Sequence, residues 1–200
     1  MLKLRFCKDF LIHRFKAKNR HGLHSPFVYR LVDIVFYDYD AKKVYLEIKK
    51  KNKDLFAPQN STYLGLNTLK INRLLYRLVA DIKPGNVVLL GHITPVTRLY
   101  LKKAAPAAKV YLDILNTPEK LNFVLVNNSD QILQYFENCL PKTDENTVMA
   151  FSDIYGSEET KKAWQQIKMH SQVTVTIDLF WIGLIFFRKG QVKEDFLIRI

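Results

Sequence analysis

The sequence predicts an α/β fold with a doubly wound, mostly parallel sheet, an antiparallel edge at the C-terminal end and an N-terminal helical extension. Continuous apolar runs alternate with helical patterns from Gly85 onward, which is typical of parallel strands covered on both faces. The last part of the chain differs, because its apolar runs are joined by connections too short for a helical crossover.

The first 60 residues are rich in bases and predict helices. Ser25 and Pro26 are typical of a helix start, since serine caps free N–H groups and proline is tolerated in the first turn. We expect that helix to extend to about Tyr37. The lysine-rich run 49–53 predicts the solvated end of another helix. The predicted organisation is a basic helical extension, residues 1–60, followed by an α/β domain, residues 61–200.

The α/β domain opens with a helix, because apolar residues from Leu66 to Val79 keep helical spacing and Lys83-Pro84-Gly85 ends the pattern. The predicted strands are 87–90, 110–115, 123–126, 148–151, 173–180, 184–188 and 196–200, and the helices between them are 95–105, 131–140 and 157–169. We expect the last three strands to pair antiparallel.

Composition limits the class of protein. The 200 residues are 48% hydrophobic, enough for one sizeable core. The formal net charge of +12 attracts polyanions such as RNA, DNA or anionic lipid headgroups. Cys7 and Cys139 are too few for a disulfide framework, and their spacing fits no metal site. The residues therefore predict a protein without a metal in a reducing compartment.

The N-terminus lacks the uninterrupted apolar segment of a signal peptide. The longest apolar run, Leu179 to Phe187, is about half as long as the roughly 20 residues that cross a bilayer. We therefore expect a cytoplasmic protein with no transmembrane segment. Bases interleaved with apolar residues at the start of the chain fit either a helix at a membrane surface or one docked on its own domain.

Three stretches carry a resemblance to a known family: NRHGLHSPFVY at 19–29, TVMAFSDIYGSEETKKAW at 147–164 and VTVTIDLFWIGLIFFRKGQ at 173–191. The chain resembles a class I S-adenosylmethionine (SAM)-dependent methyltransferase, and in particular a family of such proteins common in Bacteroidetes bacteria. The resemblance implies a Rossmann-like sheet with a SAM site at the carboxyl ends of its first strands.

The middle of the chain departs from the family pattern E-L-G-T-x-x-G after the first strand. The acid's position is Leu89, and Gly91 keeps the first glycine. Ile93 adds bulk, and Pro95 replaces the second glycine and removes a donor, although Thr94 can still cap the next helix.

Further acids of the family pattern are also lost. The ribose-binding acid becomes Ile114, with Asp113 one residue earlier and so on the other face of a strand. The acids of the family's fourth strand become Asn122 and Asn127, while the fifth strand keeps Asp153. A helix, a strand and a further helix are missing, so we expect an internally truncated sheet whose new edge is covered by a protein partner or a second copy.

These departures predict a diverged methyltransferase that is non-catalytic or remodelled, with Gly91, Asp113 and Asp153 as the remains of the cofactor site. An active SAM-dependent methyltransferase is the alternative. His21 and His24 have a spacing that suits a metal, but their glycine-containing loop favours an anchor or site cover. A third possibility is RNA or other polyanion binding, because bases cluster at 3–20 and 42–53 among aromatic residues.

Overall fold

A computed structural model describes residues 2–19, 22–40, 42–51, 65–127 and 131–200. The chain divides into two compact units. The sheet unit comprises Met1–Gly22, Gly85–His92 and Lys109–Ile200, and the helical unit comprises Leu23–Pro84 and Ile93–Ala108. The predicted boundary at residue 60 lies in 52–64, outside the described residues.

Helices and strands follow one another largely where the sequence predicts them. The α-helices are α1 (Leu2–Lys16), α2 (Pro26–Leu31), α3 (Lys43–Lys51), α4 (Gly65–Ile82), α5 (Pro95–Ala104), α6 (Ile132–Cys139) and α7 (Glu158–Met169). A π-helix, Val32–Phe36, continues α2, and a 3-10 turn, Leu140–Lys142, continues α6. The strands are β1 (Asn86–Gly91), β2 (Lys109–Tyr111), β3 (Phe123–Asn127), β4 (Val148–Ser152), β5 (Val175–Asp178), β6 (Ile182–Phe186) and β7 (Glu194–Leu197).

The sheet unit holds all seven of these strands in the order β2-β1-β3-β4-β6-β5-β7. Strands β1 to β4 pair parallel, and β6 pairs antiparallel with both β4 and β5. The predicted fold class, a mostly parallel sheet with an antiparallel edge flanked by helices, is therefore confirmed.

The last strand corrects one detail of the prediction, because β7 pairs parallel with β5. Strand β6 ends at Phe186, opposite Val175 at the start of β5. Residues 187–193 then carry the chain to the other side of β5, where Glu194 begins β7, also opposite Val175. Since β7 starts at the same end as β5, the two strands run in the same direction.

The prediction of a strand over residues 110–115 is also wrong in its length. Strand β2 ends at Tyr111, which pairs with Val88. The chain then turns, with the carboxylate of Asp113 accepting a hydrogen bond from the backbone N–H of Asn116 at 3.1 Å. An aspartate that binds its own backbone nearby favours a turn over a continuing strand.

The core of the sheet unit contains a fully buried tryptophan over a strand glycine. Trp164 on α7 is 0% exposed and packs over Gly183 in β6. Phe6 and Phe10 of α1 pack against the same core and contact the Phe180 ring, with ring centroids 5.1 Å apart in each pair. Helix α1 is therefore docked on its own unit, one of the two outcomes that the sequence allows.

The helical unit packs around tyrosines. Tyr45 of α3 lies against Tyr76 of α4 and Tyr100 of α5, with centroid distances of 5.5 and 5.9 Å. The Arg73 guanidinium lies 5.1 Å from the centre of the Tyr45 ring, at a distance typical of a cation–π contact. Ser25 caps α2 as predicted, accepting from the N–H of Val28.

None of the described helices combines the length and the apolar character that crossing a bilayer requires.

Candidate functional site

The carboxyl ends of β1, β3 and β4 lie side by side in the sheet, where α/β proteins of this type bind ligands. Gly91 ends β1 and pairs with Asn127 at the end of β3. Its φ of 78° lies in the left-handed region, which glycine adopts without strain. The predicted turn after the first strand is therefore present, and its glycine is required by the backbone.

Asn127 ties this edge of the sheet together. The backbone N–H of His92 donates to the Asn127 carbonyl at 2.9 Å, and the Asn127 side-chain N–H donates back to the His92 carbonyl at 2.6 Å. The Asn127 side-chain oxygen accepts from the Ser152 hydroxyl at 2.5 Å. The amide thus joins the turn after β1 to the end of β4, through one of its N–H groups and its oxygen.

Asp153 follows β4 directly and has a φ of 54°, a left-handed conformation that aspartate tolerates better than most residues. Its backbone N–H donates to the Trp181 carbonyl at 3.0 Å, and its own carbonyl accepts from Gly156 at 2.8 Å. Burial raises the pKa of the Asp153 carboxyl. Gly91 and Asp153 therefore occupy the same edge of the sheet, at strands separated by β3.

Asp113, the remaining predicted cofactor residue, is exposed and belongs to the turn after β2. Ile114 beside it is partly buried and packs against the core of the sheet unit. Lys142 donates to the Ile114 carbonyl at 3.2 Å. The turn thus holds Asp113 at the surface, with its carboxylate engaged by Asn116.

Asn122 lies at the opposite end of the sheet. Its side-chain oxygen accepts from the backbone N–H groups of Gly85 and Asn86, at 3.0 and 3.1 Å. Its backbone N–H donates to the Asn86 side-chain oxygen at 3.0 Å. Asn122 therefore joins the starts of β1 and β3, far along both strands from the carboxyl edge.

The predicted histidine cover is described only in part. His21 lies outside the described residues, and His24 is exposed just before the Ser25 cap. Among the residues that the structure describes, no group of three or more His, Cys, Asp or Glu side chains is arranged to hold a metal ion. The role of the two histidines stays a prediction.

The start of α5 belongs to the helical unit and shows how the altered turn is accommodated there. Thr94 caps α5 as predicted, with its side-chain oxygen accepting from the Thr97 N–H at 3.2 Å. Pro95 occupies the first turn and has no N–H to offer. Ile93 is buried. Capping and proline together reduce the free donors that this helix start can present to an anion.

A buried polar cluster at the end of β5 was not found by sequence reasoning. The Asp178 carboxylate accepts from Tyr155 Oη at 2.8 Å, from Trp164 Nε1 at 3.1 Å and from the Phe180 N–H at 2.9 Å. His13 Nε2 of α1 lies 3.1 Å from Asp178 Oδ1. An acid inside the apolar stretch TVTIDLF is the signal that identifies it.

Burial and the hydrogen-bond partners in this cluster determine the directions in which the pKa values of Asp178 and Tyr155 shift. Burial alone raises the pKa of Asp178, but the hydrogen bond and charge of His13 and the donors from Phe180 and Tyr155 bring it below its ordinary value. Burial, together with the neighbouring carboxylate, raises the pKa of Tyr155. Asp178 is therefore held as a carboxylate and Tyr155 as a neutral donor.

Comparison by sequence finds no related family: no family model matches the chain. No curated protein matches it either.

Solved structures do match the fold. SAH-bound methyltransferase PaMTH1 of Podospora anserina superimposes with a TM-score of 0.58 at 8% identity, covering 84% of this chain and 98% of that one. The SAM complex of O-methyltransferase TomG from Streptomyces achromogenes gives 0.52 at 11%, covering 78% and 95%. Cofactor-bound Rv0187 from MTB gives 0.52 at 12%, covering 84% and 100%.

The chain therefore has the fold of class I SAM-dependent methyltransferases. At 8% to 12% identity, the likeness concerns the fold alone.

Proposed function

We propose that this protein is a methyltransferase-like protein that has lost or remodelled SAM binding and acts without catalysing methyl transfer. The observation that carries the proposal is the Asn127 amide, which donates one N–H to His92 and accepts from Ser152 through its oxygen. An acid in this region would offer free acceptors to a cationic, hydroxyl-rich ligand, whereas this amide is already engaged.

The surroundings of the carboxyl edge support the same conclusion. SAM presents ribose hydroxyls and an ammonium group, which need acceptors, and it needs a close backbone approach. Asp113 is engaged in an exposed turn. In the sequence, Ile93 adds bulk to the family pattern and Pro95 stands at its second glycine. The residues present do not fit the cofactor, and Gly91, Asp113 and Asp153 are in our proposal the remains of its site.

Calorimetric titration with SAM and with S-adenosylhomocysteine tests the proposal. Several lost interactions at about 1–3 kcal/mol each predict dissociation weaker than roughly 1 mM. The variant Ile93→Gly/Pro95→Gly restores the second glycine of the family pattern and removes the bulk at position 93, and it should tighten binding by about tenfold or more. Leu115→Gly, at an exposed loop position, is the matched control and should change nothing. Low-micromolar dissociation from the unaltered protein would contradict the proposal.

An active SAM-dependent methyltransferase is the second candidate, and Asp153 is the observation in its favour. A half-buried carboxyl with a raised pKa at the carboxyl edge is typical of a functional acid or base. Release of S-adenosylhomocysteine from SAM, measured with extracts as a source of acceptors, separates the two. Turnover that Asp153→Asn abolishes would favour the enzyme.

A shortened sheet is part of the proposal. Strand β2 stands at the edge and pairs with β1, and residues 112–122 lead from it to β3. Val110 and Leu112 of this region are exposed, as an edge covered by a protein partner or a second copy would require. Light scattering of the protein and of Leu112→Lys measures self-association, which the variant should reduce.

Binding of RNA, the third possibility, is measured by filter binding across salt concentrations.

A further inference from the structure

Helix α1 has two apolar faces. Phe6 and Phe10 point into the sheet unit and pack on Phe180 and Trp181. Leu4, Leu11 and Phe15 are 80%, 53% and 87% exposed. Their spacing of seven and then four residues places them along one line of the helix, away from the packed side.

The docking of α1 on its own unit does not explain the exposed apolar stripe that Leu4, Leu11 and Phe15 form on its outer face. The inner face is already held by ring contacts, by His13 beside Asp178 and by an ion pair between Asp9 and Lys161 at 2.7 Å. Folding gains nothing from large apolar side chains on the outer face, because they remain in water. A row of such residues marks an interaction surface.

The charged side chains that α1 itself contributes around this stripe are all positive. Lys8 lies in line with the exposed leucines, and Arg14 and Lys16 flank Phe15, all three exposed. The single acid of the helix, Asp9, is buried on the inner face and paired with Lys161. Arg5, at the border, is 3.4 Å from Glu158. The outer face thus combines apolar side chains with cations and carries no acid of its own.

We propose that the outer face of α1, formed by Leu4, Lys8, Leu11, Arg14, Phe15 and Lys16, binds the surface of a membrane that contains anionic lipid. Such a helix lies in the plane of the interface, with apolar side chains below the headgroups and lysine and arginine at the lipid phosphates. A nucleic acid would use the same cations but would leave the two leucines in water. A bilayer accommodates the cations at its phosphates and the leucines below its headgroups, and the fold of the sheet unit need not change.

Sedimentation with vesicles tests this proposal on the full chain. We expect binding to vesicles of phosphatidylcholine with phosphatidylglycerol and much weaker binding to phosphatidylcholine alone. Each cation neutralised among Lys8→Gln, Arg14→Gln and Lys16→Gln should lower the partition coefficient about fivefold. The double variant Leu11→Glu/Phe15→Glu should lower it by more than about tenfold.

Leu115→Glu is the matched control, because Leu115 is also 87% exposed but follows β2 at the other edge of the sheet from β7. It adds one negative charge, against two in Leu11→Glu/Phe15→Glu, and should leave binding unchanged. Equal binding by Leu11→Glu/Phe15→Glu, equal affinity for neutral and anionic vesicles, or binding to single-stranded RNA without binding to vesicles would each overturn the proposal.

A second measurement needs no change in the helix sequence. Cys7 is exposed on α1 while Cys139 is buried, so a thiol-reactive nitroxide labels Cys7 selectively. On addition of anionic vesicles, the label should become more accessible to oxygen and less accessible to a nickel chelate. Unchanged accessibility with protein bound, or no response at all, would also overturn the proposal.

Discussion

His13 Nε2 lies 3.1 Å from Asp178 Oδ1, and both side chains are buried. The two residues are far apart in the chain and join α1 to the end of β5. Trp164 and Tyr155 donate to the other carboxylate oxygen. The Asp178 carboxylate therefore links α1, the end of β5 and α7.

Replacing Asp178 by asparagine should destabilise the protein strongly. The variant leaves His13 and three further donors facing an uncharged amide, and breaking a buried pair in this way costs about 3–5 kcal/mol. Urea unfolding followed by tryptophan fluorescence measures the free energy of unfolding. Asp195→Asn is the control, since Asp195 is exposed and has Thr176 as its partner. A change below about 1 kcal/mol in the Asp178 variant would contradict the assigned role.

Stability should also fall in acid because of Asp178. Its folded-state pKa lies below the ordinary value, so its contribution is present above an unfolded pKa of about 3.9 and is lost as pH falls through the folded pKa. Urea titrations between neutral pH and pH 3 should show a steeper loss for the unaltered protein than for Asp178→Asn. Parallel pH profiles of the two proteins would count against this linkage.

Any larger residue at position 183 should destabilise the protein, because the Trp164 indole occupies the space that its side chain would need. A Cβ at position 183 would lie 2.6 Å from the indole, closer than real contacts allow. Gly183→Ala should therefore cost about 1–3 kcal/mol through overpacking. Trp164→Phe in the same chain should relieve part of this cost, and a double-mutant cycle measures the coupling. Strictly additive effects would show that the indole is not the obstacle.

Alternating apolar runs and helical spacing predicted the fold well. A parallel strand that is buried on both faces needs consecutive apolar residues, such as Val87 to Leu90. Pairing partners were harder to predict. The direction of β7 depends on where Phe186 ends β6, and the length of β2 depends on a turn centred on Asp113. Neither is a property of the local apolar pattern.

The candidate site was predictable only in its position. The turn at Gly91 and the acid Asp153 follow from strand ends that the sequence marks clearly. Asn122 and Asn127 look alike in the sequence as lost acids, yet they lie at opposite ends of β3. The Asp178 cluster depends on a contact with His13 across most of the chain, which no local spacing reveals.

The two asparagines should respond differently to conversion to aspartate. In Asn127→Asp a carboxylate oxygen replaces the N–H that donates to the His92 carbonyl, so the free energy of unfolding should fall by about 1–3 kcal/mol. In Asn122→Asp the oxygen still accepts from Gly85 and Asn86, so the loss should be smaller. Urea unfolding at neutral pH compares the two. An equal loss in both variants would contradict the bonding scheme.

Asp153→Asn should stabilise the protein at neutral pH. Because burial raises the folded-state pKa of Asp153, its ionisation costs stability above the unfolded pKa, and that cost disappears as pH falls below the unfolded value. Asparagine also tolerates the left-handed backbone at this position, so the variant removes the charge without straining the chain.

Thermal unfolding at several pH values tests the expectation. The variant should melt at a higher temperature than the unaltered protein near pH 7, and the difference should vanish in acid. Asp153→Ala is the matched comparison, since it removes the same charge but disfavours the left-handed backbone and should gain less. A lower melting temperature for Asp153→Asn at neutral pH would mean that the carboxylate is stabilised by its surroundings, which would contradict a folded-state pKa raised by burial.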